Sequence, residues 1–114
     1  MTMKNSVIQI TNNGMGQADT NLQLVLIEKY LELLLATADL PAVICFYTEG
    51  VKLVVDDSPV LAQLKALEQK GVRLIICATC LNYLNLKDRV QVGIVGGMGD
   101  IIEAQIKADK IINL

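Results

Sequence analysis

Two cysteines three positions apart, in Ile75-Ile76-Cys77-Ala78-Thr79-Cys80-Leu81, are the residues of this chain best suited to covalent chemistry. They follow an apolar, strand-like run and lead into a segment where Thr79 can cap a short helix beginning near Cys80. At a helix start, unpaired backbone N–H groups and the helix dipole favour an anion. A thiol placed there loses its proton more readily, and the thiolate is the nucleophile. By this argument Cys80 is the better placed thiol, and Cys77 can resolve a persulfide or mixed disulfide formed on it. The competing reading is packing, because cysteine is a normal buried residue and Ile75 and Ile76 mark the strand as core. The third cysteine, Cys45, lies inside Val43-Ile44-Cys45-Phe46 and is expected to be core.

Other chemistries lack the residues they need. A structural zinc site takes four ligands, and here there is one cysteine pair, a third cysteine inside a strand and no histidine. The absence of histidine also removes a Cys–His nucleophile. No metal and no cofactor is therefore expected. Any cation that assists a thiolate must come from elsewhere, and Lys52 in Glu49-Gly50-Val51-Lys52-Leu53 is the candidate, either steering an anionic sulfur donor or standing as an ordinary surface lysine. Gly14-Met15-Gly16 occupies the place of a dinucleotide fingerprint, but Asp19 stands where the third glycine belongs and would repel a pyrophosphate. The loop reads better as a tight turn, with Asn12, Asn13 and Gln17 free to hydrogen-bond a small ligand or a partner's loop. Gly96-Gly97-Met98-Gly99 is either an anion-holding nest or a flexible crossover.

The elements that position these residues follow from the apolar pattern. Residues 6–10 read as a first strand, and a helix capped by Asp19 or Thr20 runs to Thr37. Residues 42–47 read as a buried central strand. Ser58-Pro59 opens a second helix closed by Gly71. Residues 72–76 form a third strand, residues 90–95 a fourth, and residues 110–114 a short edge strand after a helix capped by Asp100. Strands alternating with helices predict right-handed crossovers and an α/β fold, a three-layer α/β/α sandwich with a mostly parallel sheet of about five strands. In such a sheet the carboxyl ends of the strands form the binding rim. That rim gathers Asn12, Gly14, Gly16, Lys52, Cys77, Thr79, Cys80, Gly97 and Met98.

Composition narrows the function classes. The chain has 114 residues, 53% apolar and 19% charged, which suits one domain spanning residues 1–114 with a real core. The net charge is −2, and none of the 10 basic residues adjoins another, so no phosphate-binding surface is expected and nucleic acid is a poor partner. The beginning does not read as a signal peptide and no apolar stretch approaches a membrane span. A cytoplasmic protein is expected, where an odd count of three cysteines argues against a disulfide framework. The first helix carries more leucine than one amphipathic stripe needs, which points to association with other subunits. On the residues alone, three functions stand: a sulfur carrier working through a persulfide on Cys80, a non-enzymatic oligomeric module binding a ligand or protein, and a thiol–disulfide redox protein. The last lacks the proline or aromatic residue expected between its cysteines.

Four stretches resemble the DsrE/DsrF-like superfamily of small sulfur-relay proteins, and within it the C-terminal domain of the YedF-type, sulfurtransferase-like selenium metabolism proteins. They are Ile8-Gln9-Ile10-Thr11 with Gly14-Met15-Gly16, then Phe46-Tyr47-Thr48-Glu49-Gly50-Val51-Lys52-Leu53, then Leu64 to Val72 flowing into Cys77-Ala78-Thr79-Cys80-Leu81, and finally Ala108-Asp109-Lys110-Ile111-Ile112. The resemblance covers almost the whole chain. It implies a homo-oligomer in which the cysteine at Cys80 accepts sulfur as a persulfide and hands it to a partner protein. Cys77 matches the first cysteine of the C-x-x-C of some branches. Ala78 departs from the glycine frequent in relatives. YedF-type proteins commonly carry a TusA-like domain ahead of this region, whereas this chain starts at the first strand. The expected sulfur donor or acceptor is then a separate protein, a TusA-like one being the first candidate.

Overall fold

The computed structural model describes residues 2–114. Five strands alternate with four α-helices: β1 (Ser6–Ile10), α1 (Thr20–Thr37), β2 (Val43–Phe46), α2 (Leu61–Gln69), β3 (Arg73–Cys77), α3 (Ala78–Tyr83), β4 (Ile94–Gly96), α4 (Met98–Lys107) and β5 (Lys110–Asn113). All strand pairs are parallel, in the order β4-β3-β2-β1-β5. The chain therefore steps in one direction from β1 to β4, then crosses back over the sheet to β5. Right-handed crossovers place the first connections on one face and the return on the other. Accordingly α1 and α2 pack together, while α4 crosses the opposite face and its Gln105 amide donates to Gln9 Oε1 of β1. This is the expected three-layer α/β/α sandwich.

β1 and β2 are buried along their whole length, β2 as its nearly unbroken apolar run predicts. The core joins Ile8, Ile10, Ile44, Phe46, Leu74 and Ile76 of the sheet to Ile27 and Leu31 of α1 and Leu64 and Leu67 of α2. Register brings Ile10, Phe46 and Ile76 side by side at the carboxyl end, with Cys77 opposite Gly96. The exits of β1, β2 and β3 thus lie next to one another. The connection out of β3 and the one out of β4 leave toward opposite faces, so their carboxyl ends flank the topological switch point of the sheet.

Several boundaries differ from the sequence reading. Residues 90–95 do not form one strand. Val90 instead makes an antiparallel bridge to Val55, and Gln91 N donates to Val54 O at 2.8 Å, so only Ile94–Gly96 reaches the sheet. The partner of this early part is a 3₁₀-helix, Thr48–Val54, which the sequence reading did not anticipate. α2 begins at Leu61 rather than at Ser58-Pro59, although Ser58 Oγ does accept from Val60 N. α4 begins at Met98, with Asp100 reaching back to the Gly97 N–H at 2.9 Å from inside the first turn. Asp19 precedes α1 but makes no capping bond with its side chain. Among the described residues, no helix is long and apolar enough to cross a membrane.

Candidate functional site

β3 delivers Cys77 as its last residue, and α3 begins immediately after it. Cys77, not Thr79, is therefore the N-cap residue, and Cys80 lies in the first turn of α3. Cys77 is buried, 1% exposed, because its side chain still belongs to the sheet; Cys80 is half-buried. All three cysteines are free thiols. The Cys80 sulfur opens into a cleft of about 300 Å³ lined by Thr48, Glu49, Thr79, Tyr83 and Leu84.

The β2 exit supplies the polar contact to that sulfur. Thr48 N donates to Cys80 Sγ at 3.1 Å. The Thr48 hydroxyl donates to Thr11 O at 2.5 Å, just beyond the end of β1, and shares its proton with the Tyr47 carbonyl at 2.7 Å. Thr48 itself has φ of 49°, in the left-handed region that a β-branched side chain seldom adopts. Two residues on, Gly50 lies so close to β1 that a Cβ there would stand 2.0 Å from Ile10 O. Three strand exits thus meet at Thr48, which follows β2, bonds Thr11 just beyond β1 and holds the Cys80 sulfur beyond β3.

The electrostatics differ from the sequence expectation. Burial pushes the Cys80 thiol up from its ordinary value of 9.0, and the adjacent Cys77 thiol adds to the rise, while the Thr48 N–H pulls it down. The expected lowering at the helix start is not realised, because desolvation by burial is the largest influence on this thiol. Lys52 does not supply the cation either. Its ammonium pairs with Glu49 at 2.5 Å, and it lines a neighbouring cleft of about 410 Å³ with Arg89, Asp56 and Asp57. Arg89 is likewise engaged, by Asp56 at 2.5 Å and Asp57 at 3.3 Å. Leu84 separates the two clefts and lines both.

The remaining rim residues fall into two groups. Thr79 lies on the Cys80 cleft. Asn12, Gly14 and Gly16 build a turn folded onto α1: Gly14 N donates to Asn12 O at 2.8 Å and Gln23 Nε2 to Gly16 O at 2.6 Å. Gly14 has φ of 131°, and a Cβ there would meet the Gln23 backbone at 2.5 Å, so this glycine is required by close approach. Gly97 and Met98 stand at the β4 exit, one strand over from Cys77 but outside the Cys80 cleft, and the helix start they form is occupied by the chain's own Asp100 carboxylate. Thr48, Tyr83 and Leu84 were not singled out from sequence. Thr48 falls within the stretch that carries the family resemblance, yet nothing in its residue type marks it; the strained backbone does. Among the described residues no three side chains converge as a metal site. Cys45 is fully buried, its thiol pushed up to about 11 by desolvation despite the opposing pull of Arg73, as a core residue should be.

A model of the DsrE/DsrF-like family matches residues 4–114. The chain belongs to the DsrE/DsrF-like family. Solved structures with the same fold include the protein of unknown function MTH1491 from Methanobacterium thermoautotrophicum, at 21% identity and TM-score 0.69, covering 96% of this chain and 97% of that one. The ychN protein from E. coli aligns over 100% of both chains at 13% identity, TM-score 0.70. BT1422, a conserved protein of unknown function from Bacteroides thetaiotaomicron, covers 96% of this chain and 95% of its own at 16% identity, TM-score 0.68. At these identities the likeness is one of fold. No functionally curated protein matches the chain.

Proposed function

We propose that this DsrE/DsrF-like protein is a sulfur carrier that holds sulfur as a persulfide on Cys80 and passes it to a partner protein. The observation that carries the reading is the half-buried Cys80 sulfur, open to a cleft at the strand exits and held by a backbone N–H. In loading, the Cys80 thiolate attacks the outer sulfur of a donor persulfide. The new Sγ–S bond forms as the donor's S–S bond breaks, and the electron pair leaves on the donor thiolate. In delivery, an acceptor thiolate takes the outer sulfur and the pair returns to Cys80 Sγ. Neither step needs an external oxidant. Cys77 gives a second exit: its thiolate attacks Cys80 Sγ and expels hydrosulfide, leaving a Cys77–Cys80 disulfide that a thiol reductant must reopen.

The partner in this reading is a separate sulfur donor or acceptor, a TusA-like protein first, and the setting is the cytoplasm, where thiols stay reduced. Kinship with the YedF-type C-terminal domain belongs to the same reading and rests on the Cys77-Ala78-Thr79-Cys80-Leu81 segment. The test is intact-mass measurement after exposure to a persulfide donor. Native protein and Cys77→Ser are expected to gain one sulfur mass, and Cys80→Ser none. Equal loading of Cys80→Ser would refute the role. A thiol–disulfide redox protein is the second reading, favoured by the position of Cys77 and Cys80 three residues apart, at the N-cap and in the first turn of α3. It predicts a stable Cys77–Cys80 disulfide and no sulfur gain in any form.

A further inference from the structure

We propose that Thr48 is a positioning residue for Cys80: its hydroxyl, anchored on β1, holds its own backbone N–H against the sulfur so that Sγ is stabilised whenever it carries the electron pair. The proposal rests on the reading of Cys80 as a sulfur carrier and names a device within that site.

Three independent pieces of geometry support it. The N–H donates to Sγ at 3.1 Å, within the first turn of α3. The Thr48 backbone occupies the left-handed region, where glycine or asparagine is the usual choice and a β-branched residue is strained. Strain of this kind persists only where the surroundings enforce it, and it concentrates at functional sites. Here the enforcement is visible: the hydroxyl donates to Thr11 O, Tyr47 N donates to Ile10 O at 3.2 Å, and Gly50 presses against the same carbonyl. A glycine at position 48 would adopt this backbone without strain, yet it would lack the hydroxyl that ties the turn to β1.

The chemistry places the demand at the delivery step. When an acceptor thiolate attacks the outer sulfur of the Cys80 persulfide, a new acceptor S–S bond forms and the Sγ–S bond breaks. The electron pair comes to rest on Sγ, which is the leaving group. Among the described residues no lysine or arginine lines the Cys80 cleft, and Lys52 and Arg89 in the neighbouring cleft pair with carboxylates. The Thr48 N–H is the polar donor in hydrogen-bond reach of Sγ from outside the cysteine pair. Its pull on the thiol is downward, opposing burial and Cys77.

The experiment compares Thr48→Val, Thr48→Gly and Thr48→Ser on two readouts. One is the pH profile of Cys80 alkylation in reduced, sulfur-free protein carrying Cys77→Ser. The other is the rate at which preloaded Cys80 persulfide discharges to a small thiol. Valine and glycine both remove the hydroxyl, and glycine keeps the turn accessible without the strain that valine carries there. Both are expected to raise the alkylation midpoint by about half a pH unit or more and to slow discharge about three- to tenfold. Serine, which keeps the hydroxyl, should stay close to the native protein. Unchanged profiles in valine and glycine, or an equal change in serine, would overturn the proposal. The two readings separate cleanly. A shifted alkylation profile in a protein that never loads sulfur refutes the carrier while leaving Thr48 its role; normal loading with unshifted profiles refutes Thr48 alone.

Discussion

At the scale of single residues, the three cysteines illustrate how the same side chain takes different properties from its surroundings. Cys45 sits in the middle of β2 and loses water on every side. Cys77 ends its strand and remains in the core. Cys80, three residues later, reaches a cleft because the chain has turned into α3. The raised thiol of Cys45 has a consequence for stability. Folding favours its protonated form, so the folded state binds that proton more tightly than the unfolded one. The contribution is fully present below the ordinary value of 9.0 and is lost as pH rises from there toward about 11. Urea unfolding across that window should show the native protein losing more stability than Cys45→Ala does. Parallel curves for the two proteins would show that the thiol does not titrate in this way.

At the scale of elements, the decisive contacts lie between strand exits and the turns that follow them. Gly50 lets the 3₁₀-helix touch the end of β1 backbone to backbone. Gly50→Ala sets a Cβ against a carbonyl that the sheet prevents from moving, and it should cost about 3 kcal/mol by chemical denaturation. It should also loosen the Thr48 turn and so disturb Cys80. A loss below about 0.5 kcal/mol would mean that the turn has room the geometry denies it. On the opposite face, Gln9 is a buried polar residue between the apolar Ile8 and Ile10 of β1. It accepts from Gln105 of α4 and donates to Asn113 of β5 at 2.5 Å, tying the return crossover to the sheet. Gln9→Leu leaves both partners short of a bond in a half-buried site. A destabilisation of about 1–2 kcal/mol is expected from urea midpoints, larger than for Gln105→Leu, which breaks only one of the two bonds. Equal losses would show that the Asn113 bond contributes nothing.

At the scale of the whole molecule, the apolar side chains left outside matter most. Leu22, Val25, Leu26 and Leu33 lie exposed on α1, which accounts for the surplus of leucine noticed in that helix. The self-association expected from sequence is proposed to use this face, with a second copy of the chain as its occupant. Val25→Glu combined with Leu33→Glu should then lower the sedimentation coefficient of the native assembly while leaving the circular dichroism of the fold intact. An unchanged coefficient would exclude α1 as the contact.

The alternation of buried strands and helices, with Gly and Pro at the joints, determined the three-layer fold from sequence alone, because burial on both faces of a parallel sheet leaves an apolar signature in consecutive residues. It also determined that Cys77 and Cys80 stand at a strand exit, since a boundary between an apolar run and a polar turn is local. Residues 90–95 were misread for the complementary reason: an apolar run records burial but not the partner that buries it, and part of this one packs on the Thr48–Val54 turn instead of the sheet. Lys52 was placed on the correct rim, yet its ion pair with Glu49 depends on the pitch of a 3₁₀-helix that residue types do not specify. Thr48 is the clearest case of tertiary decision. Its N–H meets Cys80 across 32 residues of sequence and its hydroxyl meets Thr11 across 37. Only the packing of three strand exits forces its backbone into a conformation that its side chain disfavours.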